Sequence, residues 1–489
     1  MHSIHLNFQE GDIPSLHPHL TSTHIRCISL GKLLFECLTR IDLRGEADLA
    51  GAKAVEISED ALCYTFALQD NKWSDGSPVT AFHYENAWKT AMHPASLCSQ
   101  ANLFYPIKNA EEIKKESLPL NSAGVKALDE KTLRVELSRP CPAFLELIAA
   151  PIFAPLKNPE EEPTVFNGSF AVDQWEKNQR LQLKKNPFFW NEENVLINDI
   201  EISFVTDQMT ALYLYEKGTI DWVGAPLSSL PIEAIPVLES QKILRKRVSS
   251  SVFWLHINTQ CAPFHSLAIR QALALSIDPH QISQHILVGT PILTPLPPTL
   301  SSSSSSLSSS LQEKKQAQEL FAIGLQESGL TSCPPIHLRY FNNMRMKALA
   351  QYLQQVWQQA LGVTVELECT DWNTFRNALE QGNFQIAGCY EAPDYPDPLN
   401  ILGRFEPSSR SNFCRWTDPL FQDKLSLAKV AVNAEQRSQW IREAEEILVV
   451  SVPVIPILSL TQTYVHSPTL KGYVFDFSNA IDFSYAYFD

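Results

Sequence analysis

The sequence predicts an α/β protein of mixed sheets divided into two or three domains. Three observations carry that expectation. The chain has 489 residues, more than one compact core accommodates. Short runs with strand periodicity alternate with segments of helical spacing along most of the length. Hydrophobic residues make up 44% and charged residues 19%, the proportions of a globular protein rather than a disordered or fibrous one.

Composition also excludes. A net charge of −15 disfavours a nucleic-acid surface or an anionic membrane face. No apolar run reaches the ~18 residues that a membrane-spanning helix needs. Met1-His2-Ser3-Ile4-His5 has neither the basic nor the apolar region of a cleavable signal. The ten cysteines are scattered without a CxxC pair, which fits no zinc or redox template and reads as buried free thiols. Oxidising surroundings would allow disulfides that sequence cannot assign.

In chain order, Ile4, Leu6 and Phe8 mark a first short strand, and five of the thirteen histidines fall before residue 25. None forms an i,i+4 pair with a carboxylate beside it, so a metal site is the weaker reading of that cluster. Tyr64, Phe66 and Leu68 alternate as a strand. Trp73-Ser74-Asp75-Gly76-Ser77-Pro78 follows as a turn, because Gly reaches positive φ freely and Asp bonds its own backbone. Thr80 is placed to cap the helix after it, with Ala87-Trp88 as apolar surface. Thr132–Leu137 alternates cleanly, and the four prolines between Pro140 and Pro155 predict a loop with a short helix.

Strand, helix and strand are expected at 200–205, 209–217 and 220–223. The run Arg245-Lys246-Arg247 reads as a solvated strand edge rather than a phosphate site. An apolar strand over 248–258 leads to a helix in which Ala268, Ala272 and Leu275 keep helical spacing. Residues 295–310 hold three prolines and nine serines, too little apolar surface for a core, and are expected to lack regular structure. Further on come a strand at 336–340, a helix over 347–361 ended by Gly362, a strand at 363–367, a helix begun by Asp371-Trp372, and a strand from Gly382 towards Tyr390. Glu445-Glu446 lies on an amphipathic helix and reads as solvent-facing. GxSxG, Walker A, GxGxxG and HExxH are all absent, which weighs against an enzyme.

The chain carries, in order, Leu16-His17-Pro18-His19, Leu34-Phe35-Glu36-Cys37-Leu38-Thr39-Arg40, the segment 64–90, Tyr105-Pro106-Ile107-Lys108-Asn109-Ala110, and Asn167-Gly168-Ser169-Phe170 with Trp175. Ala262-Pro263-Phe264, Ile269-Arg270-Gln271-Ala272-Leu273 and Ser451-Val452-Pro453-Val454-Ile455-Pro456 follow. In this order they resemble the bacterial extracellular solute-binding proteins of family 5, the peptide receptors of ABC importers. Departures are His17 where Asp is usual and Cys37 where Gly is usual.

The resemblance implies a two-lobed periplasmic-binding-protein-like α/β fold (class II, three structural domains), with mixed sheets and a hinge of two crossing strands near 246–258 and 453–465. It places a lobe I core domain at 1–40, 165–250 and 465–489, a family-specific additional domain at 41–164, and lobe II at 251–464. It implies a cleft that closes on a peptide by hinge bending, no cofactor, no metal and no catalysis. The implied partners are a peptide and the permease and ATPase subunits of the importer, with the receptor a monomer. The implied location is the periplasm or cell surface, through an N-terminal anchoring segment missing from this chain.

A receptor for many peptides must read the backbone and the two charged ends, with hydrated pockets for the side chains. In this family an Asp in the turn matching Pro393-Asp394-Tyr395-Pro396-Asp397-Pro398 holds the ligand's α-ammonium, which points to Asp394; the plain alternative is an Asx turn. Trp372, Tyr105, Phe253 and Trp254 are candidate pocket aromatics, each with a core role as the alternative. Tyr390, Glu391, Ala392, His24 and Arg345 complete the ligand-binding set. Where relatives that bind longer peptides carry basic groups, this chain has Gly388 and Met346, and Glu391 replaces an aromatic. A carboxylate partner is therefore expected among Arg339, Arg345, Arg404 and Arg410. A single small solute (glutathione, a dipeptide, a metal chelate) and a chaperone-like or surface interaction role stay open as alternatives.

Overall fold

The computed structural model describes residues 3–301, 311–431 and 433–489. The chain divides into two compact units. Unit 1 comprises Met1–Arg247, Asp394–Pro396 and Gln462–Asp489, and unit 2 comprises Val248–Pro393 and Asp397–Thr461. Two long strands carry the chain across this division: Arg245–Ile257 and Val454–His466. They coincide with the crossing strands expected from sequence.

Unit 1 holds two separate four-stranded sheets. In one, Ser3–Asn7 pairs parallel with Asp199–Ser203, followed by Arg180–Lys185 and Phe170–Glu176. In the other, Ala52–Ile57, Cys63–Leu68, Thr132–Glu136 and Val125–Ala127 lie in this spatial order as an antiparallel sheet. Cys63–Leu68 alternates as its residues dictate, with Tyr64, Phe66 and Leu68 buried. The turn after it closes as read from sequence: Asp75 Oδ1 accepts from Ser77 N at 3.0 Å and from Ser77 Oγ at 2.6 Å. Thr80 and His83 then form a capping box on Ala81–Met92. Trp88 of that helix donates to Phe153 O at 2.8 Å inside the core.

The Asn-Gly pair has a structural reason of its own. Asn167 is fully buried and bonds both Glu36 N and Glu36 O, at 3.1 and 3.0 Å. A Cβ on Gly168 would meet Leu33 O at 2.5 Å, so only glycine lets the two backbones approach this closely. The C-terminal part of unit 1 is built of two-residue strands, Leu470–Lys471 with Tyr487–Phe488 and Val474–Phe475 with Ile481–Asp482.

In unit 2 the sheet runs Val454–His466, Arg245–Ile257, Ile386–Glu391, Ile336–Phe341, Val365–Thr370, with Gly289–Pro291 added on the first of these. Ile336–Phe341 is parallel to both its neighbours, and Arg245–Ile257 is antiparallel to Ile386–Glu391. The unit-1 end of Val454–His466 pairs with Trp222–Gly224, also of unit 1, as the ladder's seventh strand. Helices Met344–Leu361 and Leu267–Leu275 bury Trp357, Leu353, Ile269 and Leu273 against the sheet's apolar residues.

Four expectations need correction or limits. The strand expected from Gly382 begins only at Ile386, because Gly382, at φ 77, ends the preceding helix. Arg247 is not a solvated edge residue: it donates to Gln462, Asn479 and the carbonyl of Asp476. Glu445 faces inward at 2% exposure, accepting from Thr294 and Ser301. Of the Pro/Ser-rich stretch, 295–301 forms turns and bends without helix or strand, while 302–310 lie outside the described residues. Among the described residues no helix is long and apolar enough to cross a membrane.

Candidate functional site

Parallel strands end together, so the loops after them gather at one edge of the sheet, where ligands of α/β sheets bind. In unit 2 the strand ends are Phe341, Thr370 and Glu391. Trp372 opens the helix after the second strand and keeps 49% of its surface exposed. It meets Phe341 edge-on at 5.1 Å, and Phe341 in turn meets Phe375 at 5.5 Å. Tyr390, 36% exposed, stands edge-on to Phe253 at 5.0 Å. Unit 2 thus brings Trp372, Tyr390 and Phe253 into one aromatic patch around Phe341.

Phe253 and Trp254 themselves are buried, at 0% and 1% exposure. Alternation turns Trp254 to the opposite face, against Phe405 and His256. Phe253 also explains Gly388: a Cβ there would meet its ring at 2.7 Å. Burial pushes the Tyr390 phenol up to about 12, with the Arg345 charge acting against the rise. Arg345 lies in the first turn of Met344–Leu361, whose N-cap Asn343 accepts from its backbone N–H at 2.9 Å. Of the other arginines, Arg339 is bound to Glu368 at 2.7 Å and to Asn383 O at 2.6 Å, and Arg410 is exposed.

Glu391 ends its strand buried, at 7% exposure. One oxygen pairs with Arg404, and the other lies 3.2 Å from His256 Nε2. Desolvation works to raise this carboxyl, but Arg404 and His256 outweigh it and the group sits at about 2. Arg404 also donates to Ala392 O at 2.6 Å. Asp397 caps Pro398–Leu402 and pairs with Arg437 at 2.6 Å, the Asp397 side chain buried and that of Arg437 partly so. Sequence reasoning missed Arg437 and His256 altogether; the one available hint was an acid at 391 where the family has an aromatic. Cys414 Sγ lies 3.6 Å from His256 Nδ1. That thiol–imidazole–carboxylate line is closed to chemistry, since Cys414 is 1% exposed and burial pushes its thiol up to about 12.

Unit 1 holds the remaining candidates. Asp394 groups with it, and its Oδ1 accepts from Gln100 Nε2 at 3.2 Å. Tyr105 and Tyr395 pack half-buried on the unit 1 core. His24 is exposed as N-cap of Ile25–Leu34 without a side-chain cap bond. His17 and His19 are buried, and His17 Nδ1 accepts from His19 N at 3.2 Å. Among the described residues no group of three or more His, Cys, Asp or Glu is arranged to hold a metal, and all ten cysteines are free.

The model of the bacterial extracellular solute-binding proteins, family 5, matches residues 47–413. This chain belongs to that family. The family 5 relatives include the oligopeptide-binding protein OppA of Bacillus subtilis (strain 168), 32% identical over 97% of this chain and 90% of that one. Among solved structures, the substrate-binding domain of an oligopeptide ABC transporter from Bacillus anthracis matches with a TM-score of 0.81 at 27% identity. It covers 99% of this chain and 98% of that one. Haemophilus influenzae OppA, solved in complex with RPPGFSPFR, matches with a TM-score of 0.81 at 24% identity, covering 99% and 98%. The fold is therefore the two-lobed, mixed-sheet α/β fold of the periplasmic peptide-binding proteins, and family 5 is a family of extracellular binding proteins rather than enzymes.

Proposed function

We propose that this chain captures short peptides outside the cytoplasm and delivers them to the permease and ATPase subunits of an ABC importer, as a monomer and without catalysing a reaction. The observation that carries this reading is the 32% identity to an oligopeptide-binding protein across 97% of the chain. Membrane tethering belongs to the same reading, as does a three-domain division in which 41–164, with its own antiparallel sheet, is an addition to lobe I.

In this reading Asp394 anchors the ligand's α-ammonium, Trp372 and Tyr390 line side-chain pockets, and Arg345 takes the C-terminal carboxylate. Gly388 and Met346 offer no charge for that last role, and Arg339 is engaged elsewhere. Removing one partner of a desolvated charge pair costs roughly 3–5 kcal/mol. Asp394→Ala should therefore weaken tri- to pentapeptide binding by about two to three orders of magnitude at ~1.4 kcal/mol per decade. Calorimetry with free and N-acetylated peptides tests this: the parent should bind acetylated peptides poorly, and the Asp394→Ala defect should nearly vanish for them. Equal parental affinity for both forms would reject the ammonium anchor. The absent charge at 388 and 346 favours one second reading, a single small solute, and native mass spectrometry separates the two by a ladder of bound masses or one discrete mass.

A further inference from the structure

The turn that carries Asp394 has no regular structure between Glu391, which ends a strand, and Pro398, which opens a helix. Six irregular residues would sample many backbone states unless something held them. Both ends of this stretch are held by ion pairs of unit 2 whose carboxylates are buried. At the start, Arg404 grips the Glu391 carboxylate and, with its second terminal nitrogen, the carbonyl of Ala392. At the end, Asp397 pairs with Arg437 and caps the next helix by accepting from Leu399 N at 2.9 Å. Glu391 is fixed in turn by His256, itself buried at 2% exposure. Only Asp394–Pro396, between the clamps, groups with unit 1.

We propose that Glu391–Arg404 and Asp397–Arg437 are positioning residues for peptide capture, clamping the 392–397 turn so that the Asp394 carboxylate is pre-set for an α-ammonium. The proposal rests on the ammonium-anchor reading above. It reassigns Glu391 and Arg404: neither meets the ligand, and Arg404 is not the partner of the peptide's C-terminal carboxylate. A planar guanidinium suits this task because it reaches a carboxylate and a carbonyl at once, which an ammonium on a flexible stem does not do. Pre-organising a binding group lowers the ordering cost of association, so slackening the clamp acts on affinity without touching a ligand contact.

The test is the ratio of affinities for a free tripeptide and its N-acetylated form, by calorimetry, on the parent, Glu391→Gln and Arg437→Gln. A loosened turn misplaces Asp394, so the free peptide should bind each variant about tenfold or more weaker while the acetylated form changes little, and the ratio should collapse towards one. A role in stability alone would lower the melting temperature and leave the ratio at its parental value. Arg437→Gln sits at the far clamp, so the test survives if Glu391→Gln fails to fold. A parent that binds both forms equally overturns the anchor and the clamp together. A parent that discriminates, with variants that discriminate as well as it does, overturns the clamp alone.

Discussion

Two carboxylates, one in each unit, are almost equally buried and respond in opposite ways. Glu36 of unit 1 is 2% exposed and Glu391 of unit 2 is 7% exposed. Burial pushes Glu36 up to about 7, with the Arg40 charge opposing and Asp482 adding to the rise. Glu391 is held down at about 2. The difference lies in geometry. Both oxygens of Glu391 have partners, Arg404 and His256. Glu36 Oε2 and Arg40 Nη1 stand 3.5 Å apart, and neither atom has a hydrogen bond. Arg40 turns instead to Asp482 at 3.1 Å and to the face of the Tyr485 ring at 4.5 Å. Proximity to a cation is thus insufficient; bonded contact decides whether a buried acid stays ionised.

The two clusters share a purpose in the fold. In both units charge secures backbone where sheet ladders are short or missing. In unit 1, Lys32 pairs with Asp476 at 2.8 Å, and Arg247 bonds Asp476 O and Asn479, so charge secures a segment whose own strands are two residues long. In unit 2 charge secures the turn bearing Asp394.

The largest test would convert one case into the other. Arg404→Met leaves Glu391 buried with His256 alone, and should cost about 3–5 kcal/mol of stability at pH 7, as breaking a buried pair does. The loss should shrink in acid, because the unpaired carboxyl then accepts a proton. Chemical denaturation at pH 7 and pH 4 reads both. A loss under 1 kcal/mol at pH 7 would mean that Arg404 is not what keeps Glu391 charged.

A smaller effect concerns the parent in acid. The folded pKa of Glu391 lies below its ordinary 4.5, so the unfolded chain binds the proton first. Its stabilisation is complete above about 4.5 and is lost as pH falls towards about 2. Parent stability should fall through that window more steeply than that of Glu391→Gln, whose side chain does not titrate. Parallel curves for the two proteins would remove the carboxylate from the acid response.

What was legible in the sequence was local. The Asp75-Gly76 turn and the Thr80 cap depend on residues within three positions. The order of motifs carried the family and its fold. What escaped depends on distant residues. His256 meets Glu391 across 135 positions and Arg437 meets Asp397 across 40, with no periodicity to announce either. Glu445 read as solvent-facing because its helix is amphipathic, yet two hydroxyls receive it inside. Arg247 likewise looked like one of three exposed cations until the C-terminal segment folded over it.

The smallest effect falls on Glu36, and its sign is opposite to that of Glu391. A folded pKa of about 7 against an ordinary 4.5 means that the folded chain binds the proton more tightly. Its contribution is most favourable below about 4.5 and declines as pH rises through about 7. Glu36→Gln keeps the shape and removes the charge, and its amide oxygen remains an acceptor beside Arg40 Nη1. Arg40 keeps Asp482 and the Tyr485 ring, so no buried cation is stranded. The variant should therefore gain about 1 kcal/mol over the parent at pH 8, where an unsatisfied buried charged group is relieved, and nothing at pH 4, where the parent is already neutral. Melting curves at the two pH values read the difference. A loss at pH 8 would show that Glu36 is a bonded partner of Arg40 after all, and the contrast with Glu391 would then fail on geometry rather than on burial.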